Sequence, residues 1–347
     1  MSGRWTGPPA DADQQAVLHL VDDLTTNRFA RVGDDEPDVI DEARLVLAEH
    51  GLWTLGASES GGGGGADLPT TLLALARLGG TWPALAWASV QAHAAALVLE
   101  GLHAWAEQLA ALHAGAPVAV VQVQPEDLDV NLEEGRVAGA VARIDPAGRR
   151  PHLVLLTGPR TAVVLTPDEV EFGAAVRRTG LDGALTVGVR LAARFTDDAV
   201  VQGSQVVAAR TMMSVGGAAV AAGIAEAAAD AALAYSAGRV QFGAPLTALV
   251  TVRASLMAQV AAARAASGAS LTTSLAQPVE AAAALGTACD LAIDVAASSL
   301  QSHGGYGYMS ECVVEGLLRD AVSLRAASGA LDAGRLAAQE LVGGASG

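Results

Sequence analysis

Arg239-Val240-Gln241-Phe242-Gly243-Ala244-Pro245-Leu246 breaks an apolar, Ala-rich part of the chain in two. Thr211 to Ala237 precedes it and Leu246 to Leu275 follows. Ala loses no side-chain entropy on entering a helix, so both flanks read as long helices and the octapeptide as their connection. Val279 to Ser302 is a third such segment, and a last one begins after Asp320. Helices of this length pack as an up-and-down bundle, so residues 207–347 read as a C-terminal four-helix bundle.

Upstream the character alternates. Val118 to Val123, Arg136 to Ile144, Leu153 to Leu156, Ala162 to Leu165 and Val187 to Ala193 are short β-prone runs separated by turn signals such as Asp145-Pro146-Ala147-Gly148. They predict a small antiparallel sheet or barrel over 116–206. Before Pro117 the pattern is helical again, with apolar stripes at Leu18, Leu20 and Val21, at Ile40 to Ala48, at Leu72 to Leu78 and at Ala86 to Leu102. The fold class is mostly α with a β domain: helical domain 1–115, β domain 116–206, bundle 207–347. The bundle is expected to form an oligomer core. Gly61 to Gly65 lacks the Lys-Ser/Thr of a phosphate cradle and reads as a flexible helix connection.

At 347 residues, two or three domains are expected. Apolar residues make up 51% and aromatics 3%, so the cores are packed with Ala, Val and Leu. All 21 basic residues are arginine, which excludes a lysine catalyst, and the net charge is −16. Such a surface repels phosphate backbones and anionic lipid, so no nucleic acid and no membrane is expected as partner. Val206 to Leu233 has the length of a membrane span, but Arg210, Glu226 and Asp230 mark it as a buried helix. Cys289 and Cys312 form no disulfide framework and no metal spacing, and Met1 to Asp11 shows no signal peptide. A reducing compartment, the cytoplasm, is the expected location.

Two motifs carry a family resemblance. Arg239-x-x-Phe242-Gly243 is one; the other is Gln301-Ser302-His303-Gly304-Gly305-Tyr306-Gly307-Tyr308, followed by Arg319-Asp320-Ala321. In this order and spacing they resemble the C-terminal domain of acyl-CoA dehydrogenases. Leu47-Ala48-Glu49-His50-Gly51-Leu52, before a glycine-rich turn, resembles that family's first domain. The resemblance implies α,β-dehydrogenation of an acyl-CoA thioester: a glutamate takes the α-proton and the flavin of FAD takes the β-hydride. It also implies FAD shared between subunits. Arg239, Phe242 and Gly243, with Gln301, Gly304 and Gly305, match the residues that reach a neighbour's FAD; a guanidinium fork suits its pyrophosphate.

The matches to a subunit's own flavin and base are poor. The family's Thr-Glu-Pro-x-x-Gly-Ser segment becomes Gln122-Val123-Gln124-Pro125-Glu126-Asp127, and its Trp-x-Ser/Thr-Asn segment becomes Ala140-Val141-Ala142-Arg143-Ile144. The usual base position, nine residues after Arg319, holds Ser328; Arg335 and Leu336 support that register. The alternative position, 26 residues before Arg239, holds Met213, with Ser214 where a CoA-contacting arginine is usual, Arg210 a turn away and Glu226 too far along. Asp332, one turn past Ser328, is the remaining candidate base.

The leading reading is a non-catalytic partner in a heteromeric α2β2 acyl-CoA dehydrogenase, beside a second subunit that carries the base. An electron-transfer flavoprotein is the acceptor that reading implies. The alternatives are a self-sufficient flavoenzyme acting on a specialised acyl thioester through Asp332, and a flavin-free scaffold.

Overall fold

Helix signals set the first third of the chain. The Asp11 carboxylate accepts from Gln14 N and Gln14 returns the bond, a capping box that opens α1 (Ala12–Asp23). Prolines in the first turn open α2 (Pro37–Glu49), α3 (Leu68–Gly79) and α4 (Pro83–Leu99), where a missing N–H costs nothing. α5 (Ala106–His113) follows. The computed structural model describes residues 10–29, 35–123 and 127–343. Most of the Met1 to Asp11 segment, Gln124-Pro125-Glu126 and the side chain of Leu336 lie outside the described residues.

The middle of the chain forms two four-stranded sheets. Its strands are β1 (Val118–Gln122), β2 (Leu128–Asn131), β3 (Arg136–Ile144), β4 (His152–Gly158), β5 (Thr161–Leu165), β6 (Val170–Ala175), β7 (Val187–Arg194) and β8 (Val200–Gln202). One sheet runs β1-β4-β5-β8 and the other β2-β3-β7-β6. The expected purely antiparallel sheet needs correction: β1 pairs with β4 in parallel, Val118 opposite His152. Between them the chain leaves to make β2 and β3 of the second sheet, so no crossover helix is needed. β4 and β5 hold unbroken buried runs, Leu153–Leu156 and Ala162–Leu165, as strands covered on both faces do. β7 alternates buried and exposed, as a half-covered strand does.

The last part is helical: α6 (Ser204–Gly238), the two-residue strands β9 (Val240–Gln241) and β10 (Ala244–Pro245), α7 (Val250–Leu271), α8 (Pro278–Ser302), α9 (Val313–Ala327) and α10 (Ala330–Gly343). α6 packs against α3 and α4 from the first helical region and against α7 and α8 from the last. Its most apolar window is 89% buried within the protein, which explains a span-like composition without a membrane. The final helical segment does not begin after Asp320; α9 starts at Val313 and Asp320 sits inside it. A charge is tolerated there because the Asp320 carboxylate accepts from Leu181 N at 2.7 Å.

The glycine run is also different from its expectation. The amides of Gly61, Gly62, Gly63, Gly64 and Gly65 donate to the carbonyls of Ser58, Glu59, Ser58, Thr54 and Ala57. This is a tightly bonded turn rather than a flexible connection. Its donors point into the protein, which removes the phosphate-cradle reading on physical grounds.

Candidate functional site

Two clefts flank α6. Met213, early in the helix, lines one; Tyr235 and Arg239, at its end, line the other. The 26 residues between Met213 and Arg239, at about 1.5 Å each, separate the clefts by about 39 Å.

The cleft at the end of α6 is open, about 580 Å³, and brings together Arg239, Gln301, Gly304 and Gly305. The Tyr235 and His303 rings stack beside them, centroids 4.4 Å apart. His303 Nδ1 is 2.8 Å from the Ser299 carbonyl and donates to it, which fixes the ring. The turn after α8 divides its glycines by role. A Cβ on Gly307 would lie 2.4 Å from the Leu300 carbonyl oxygen, so that glycine is there for packing; at Gly304, with φ +59°, and at Gly305 a Cβ would meet nothing within 4 Å. Their backbone is open to a ligand. Phe242 and Gly243 lie outside this cleft, at the tip of the β9–β10 hairpin with φ +53° and +79°. Two left-handed residues in a row suit Asn-Gly; phenylalanine there is strained. Its ring is 94% exposed.

The cleft near the start of α6 is smaller, about 250 Å³. Met213 and Ser328, the two positions where a base was sought, both line it, and so does Asp332. Gln122 at the end of β1, Val123 just after it, and Val141 to Ile144 from β3 line it too. No carboxylate stands at either base position. Ser328 is buried and its hydroxyl donates to the Arg325 carbonyl at 3.5 Å, while Asp332 pairs with Arg335 at 3.2 Å. A Ser328–Asp332 couple is therefore not formed. Burial pushes the neighbouring Cys289 thiol up to about 12 despite a hydrogen bond with Ser328. Arg210 is spent elsewhere, donating to Gly158 O and Leu156 O at the end of β4. Glu226 lines neither cleft; burial between helices pushes its carboxyl up to about 7, against Ser267 and the charge of Arg77.

Residues 202–340 match the family model for the acyl-CoA dehydrogenase C-terminal domain. The whole chain superimposes on butyryl-CoA dehydrogenase from Megasphaera elsdenii with TM-score 0.79 and 23% identity, over 95% of this chain and 98% of that one. A glutaryl-CoA dehydrogenase from Mycobacterium smegmatis in complex with FADH2 gives 0.83 at 14% identity, over 96% and 95%. A chain from a study of the electron transferring flavoprotein of Acidaminococcus fermentans gives 0.81 at 19%, over 96% and 99%. The chain has the acyl-CoA dehydrogenase fold and that family's C-terminal domain. Among curated proteins none matches its sequence.

Within this acyl-CoA dehydrogenase fold, the Arg319-Asp320-Ala321 motif serves the main chain. Arg319 Nη1 donates to Thr179 O at 2.8 Å and its Nε to Glu315, while Asp320 holds Leu181 at φ +56°. Burial, with Asp35 and Asp182 adding repulsion, pushes the Asp320 carboxyl up to about 6. Tyr235, Trp87 and Gln91 are among the lining residues not anticipated in roles here. Tyr235 stands four before Arg239, so helical spacing alone places it on the same face. Gln91 was hidden in an apolar helix: it accepts from Val120 N and donates to Asp145 O, stitching α4 to the sheets.

The fit of FAD to the two clefts is unequal. The open cleft offers a guanidinium, exposed glycine backbone and a ring stack, which suits a pyrophosphate-linked nucleotide. The smaller cleft lies below the roughly 300–1,000 Å³ typical of ligand pockets. Among its described lining residues Ser328 is the single hydroxyl and three are carboxylates, Asp127, Asp145 and Asp332, a donor-poor and acidic set that does not suit the phosphates of FAD.

Proposed function

We propose that this chain is the non-catalytic partner in a heteromeric α2β2 acyl-CoA dehydrogenase. The fold is one that supports FAD-dependent dehydrogenation of acyl-CoA, and the chain's part in that reaction is to complete a FAD site on a second dehydrogenase subunit. One observation carries the reading: Met213 and Ser328 stand in one cleft without a carboxylate, while the open cleft keeps Arg239, Gln301, Gly304 and Gly305 together. When bound, FAD would take the hydride from the substrate β-carbon. Arg239 would hold its pyrophosphate through charge-assisted bonds, Gly304 and Gly305 would admit it closely, and Phe242 would cover it from the hairpin tip. The partner supplies the glutamate base and the acyl-CoA slot. An electron-transfer flavoprotein is the proposed acceptor and the cytoplasm the proposed location.

The test is to purify the chain alone and with a partner that carries the glutamate, and to measure flavin absorbance per protein. The expected result is little or no FAD on the chain alone and bound FAD in the complex. Near-stoichiometric yellow protein from the chain alone would favour the self-sufficient reading; a complex without flavin would favour the scaffold.

A further inference from the structure

The end of α8 carries much of the open cleft: Gln301 and Ser302 on its last turn, then His303, Gly304 and Gly305. The last turn of a helix has carbonyls without intrahelical partners and frays unless tertiary contacts hold it. Two side-chain ties run to α6. Ser299 Oγ donates to the Ala228 carbonyl at 2.6 Å, and the His303 ring lies on Tyr235. A third runs to α7, where Gln259 Nε2 donates to Ser302 Oγ at 3.1 Å and to Ser255 Oγ at 3.3 Å. Ser302 in turn donates to the Ser298 carbonyl at 3.0 Å, so its hydroxyl is held from both sides.

Gln259 does not line the cleft; it is 3% exposed, and its Oε1 is buried without a hydrogen-bond partner. A buried carbonyl left unpaired destabilises a fold. For stability alone an apolar side chain of the same length would serve better, because Ser302 would keep its bond to Ser298 and Ser255 stands in solvent. What the amide adds is the bond to Ser302. Building on the proposed partner role, we propose that Gln259 is a positioning residue of the open cleft. Through Ser302 it sets the last turn of α8, and with it Gln301 and Gly304, where they meet a neighbour's FAD. It touches no cofactor itself.

The test uses the full chain in complex with its glutamate-bearing partner. FAD affinity is read by flavin fluorescence in wild type, Gln259→Met, Ser302→Ala and the double variant, and thermal melting is followed for each. Methionine keeps the length of the side chain and removes the amide; Gln259→Leu takes its place if that variant does not fold. Gln259→Met is expected to weaken FAD by about three- to tenfold, the worth of one neutral hydrogen bond, while melting stays level or rises. The double variant is expected to bind no more weakly than the weaker single one, because the two residues act as a unit. Unchanged affinity, an affinity loss matched by a loss of melting temperature, or additive effects in the double variant would each overturn the proposal. A wild-type complex without FAD would overturn the partner reading as well. That result is seen before any variant is compared, so the two failures are told apart.

Discussion

The two clefts at either end of α6 have kept different things. Next to the open one, an exposed aromatic, Phe242, sits in a strained turn three residues from the exposed Arg239 that lines the cleft, an arrangement that folding of this chain alone does not reward. In the smaller one, three polar side chains are bonded within the chain, Ser328 to a main-chain carbonyl, Asp332 to Arg335 and Arg143 to α9, while the buried Trp87 indole N–H has no partner. Strain persists where something outside the chain repays it, and relaxes where nothing does. Under the proposed partner role, the direction of each side chain's bonds, inward or outward, would separate the region under functional demand from the one released from it.

The largest expected effect tests the released region. Arg178→Ala strands the buried Asp145 charge beside the smaller cleft and should cost about 3–5 kcal/mol of stability, read by chemical denaturation. A loss below about 1 kcal/mol would mean that the wall of this cleft is not held by this pair.

Next comes the open cleft. Arg239→Ala should weaken FAD in the complex by about ten- to a hundredfold, the worth of a hydrogen bond to a charged group, with the subunit still folded. Arg239→Lys should recover part of this, because the charge remains and the planar fork does not. Flavin release measured by fluorescence checks both. Unchanged affinity in the alanine variant would break the contrast between the clefts.

Glu226, midway along α6, gives a smaller effect with a definite sign. Its folded value near 7 lies above the ordinary 4.5, so the stability it contributes is present at low pH and is lost as pH rises through about 7. Glu226→Gln should therefore raise the melting stability by about 1–2 kcal/mol at pH 8, after screening at its partly open rim, and change little near pH 5. A gain larger at pH 5 than at pH 8 would contradict the assignment. The smallest effect is Ser328→Ala, which should leave turnover of the complex nearly intact. A complex that survives Arg239→Ala and dies with Ser328→Ala would invert the division of labour between the clefts.

Much of the architecture was legible in sequence because it rests on local signals. β3 falls on the run Arg136 to Ile144 with both ends as expected, and α8 begins one residue before the expected start at Val279. The short strands β2, β6 and β8 carry mixed polar residues and take their pairing from neighbours, so no local pattern announced them. α9 was truncated in the reading for a related reason: Asp320 looks like a helix boundary until Leu181, 139 residues away, donates to it. At the open cleft Arg239, Gln301, Gly304 and Gly305, named from the family resemblance, line one cavity, while Phe242 and Gly243, named with them, lie outside it. In the smaller cleft, Arg143 donates to Ala326 O across 183 residues, and a backbone carbonyl is a group that sequence cannot distinguish from any other.

The Phe242 hairpin has a consequence for supply in the cell. An aromatic ring held almost wholly in water, with Val240 and Val250 also exposed nearby, is an adhesive surface for as long as it is uncovered. Chains made in excess of whatever covers that surface would be drawn to one another or to chaperones and proteases. The abundance of this protein would then be set less by its own synthesis than by the synthesis of the surface it docks on.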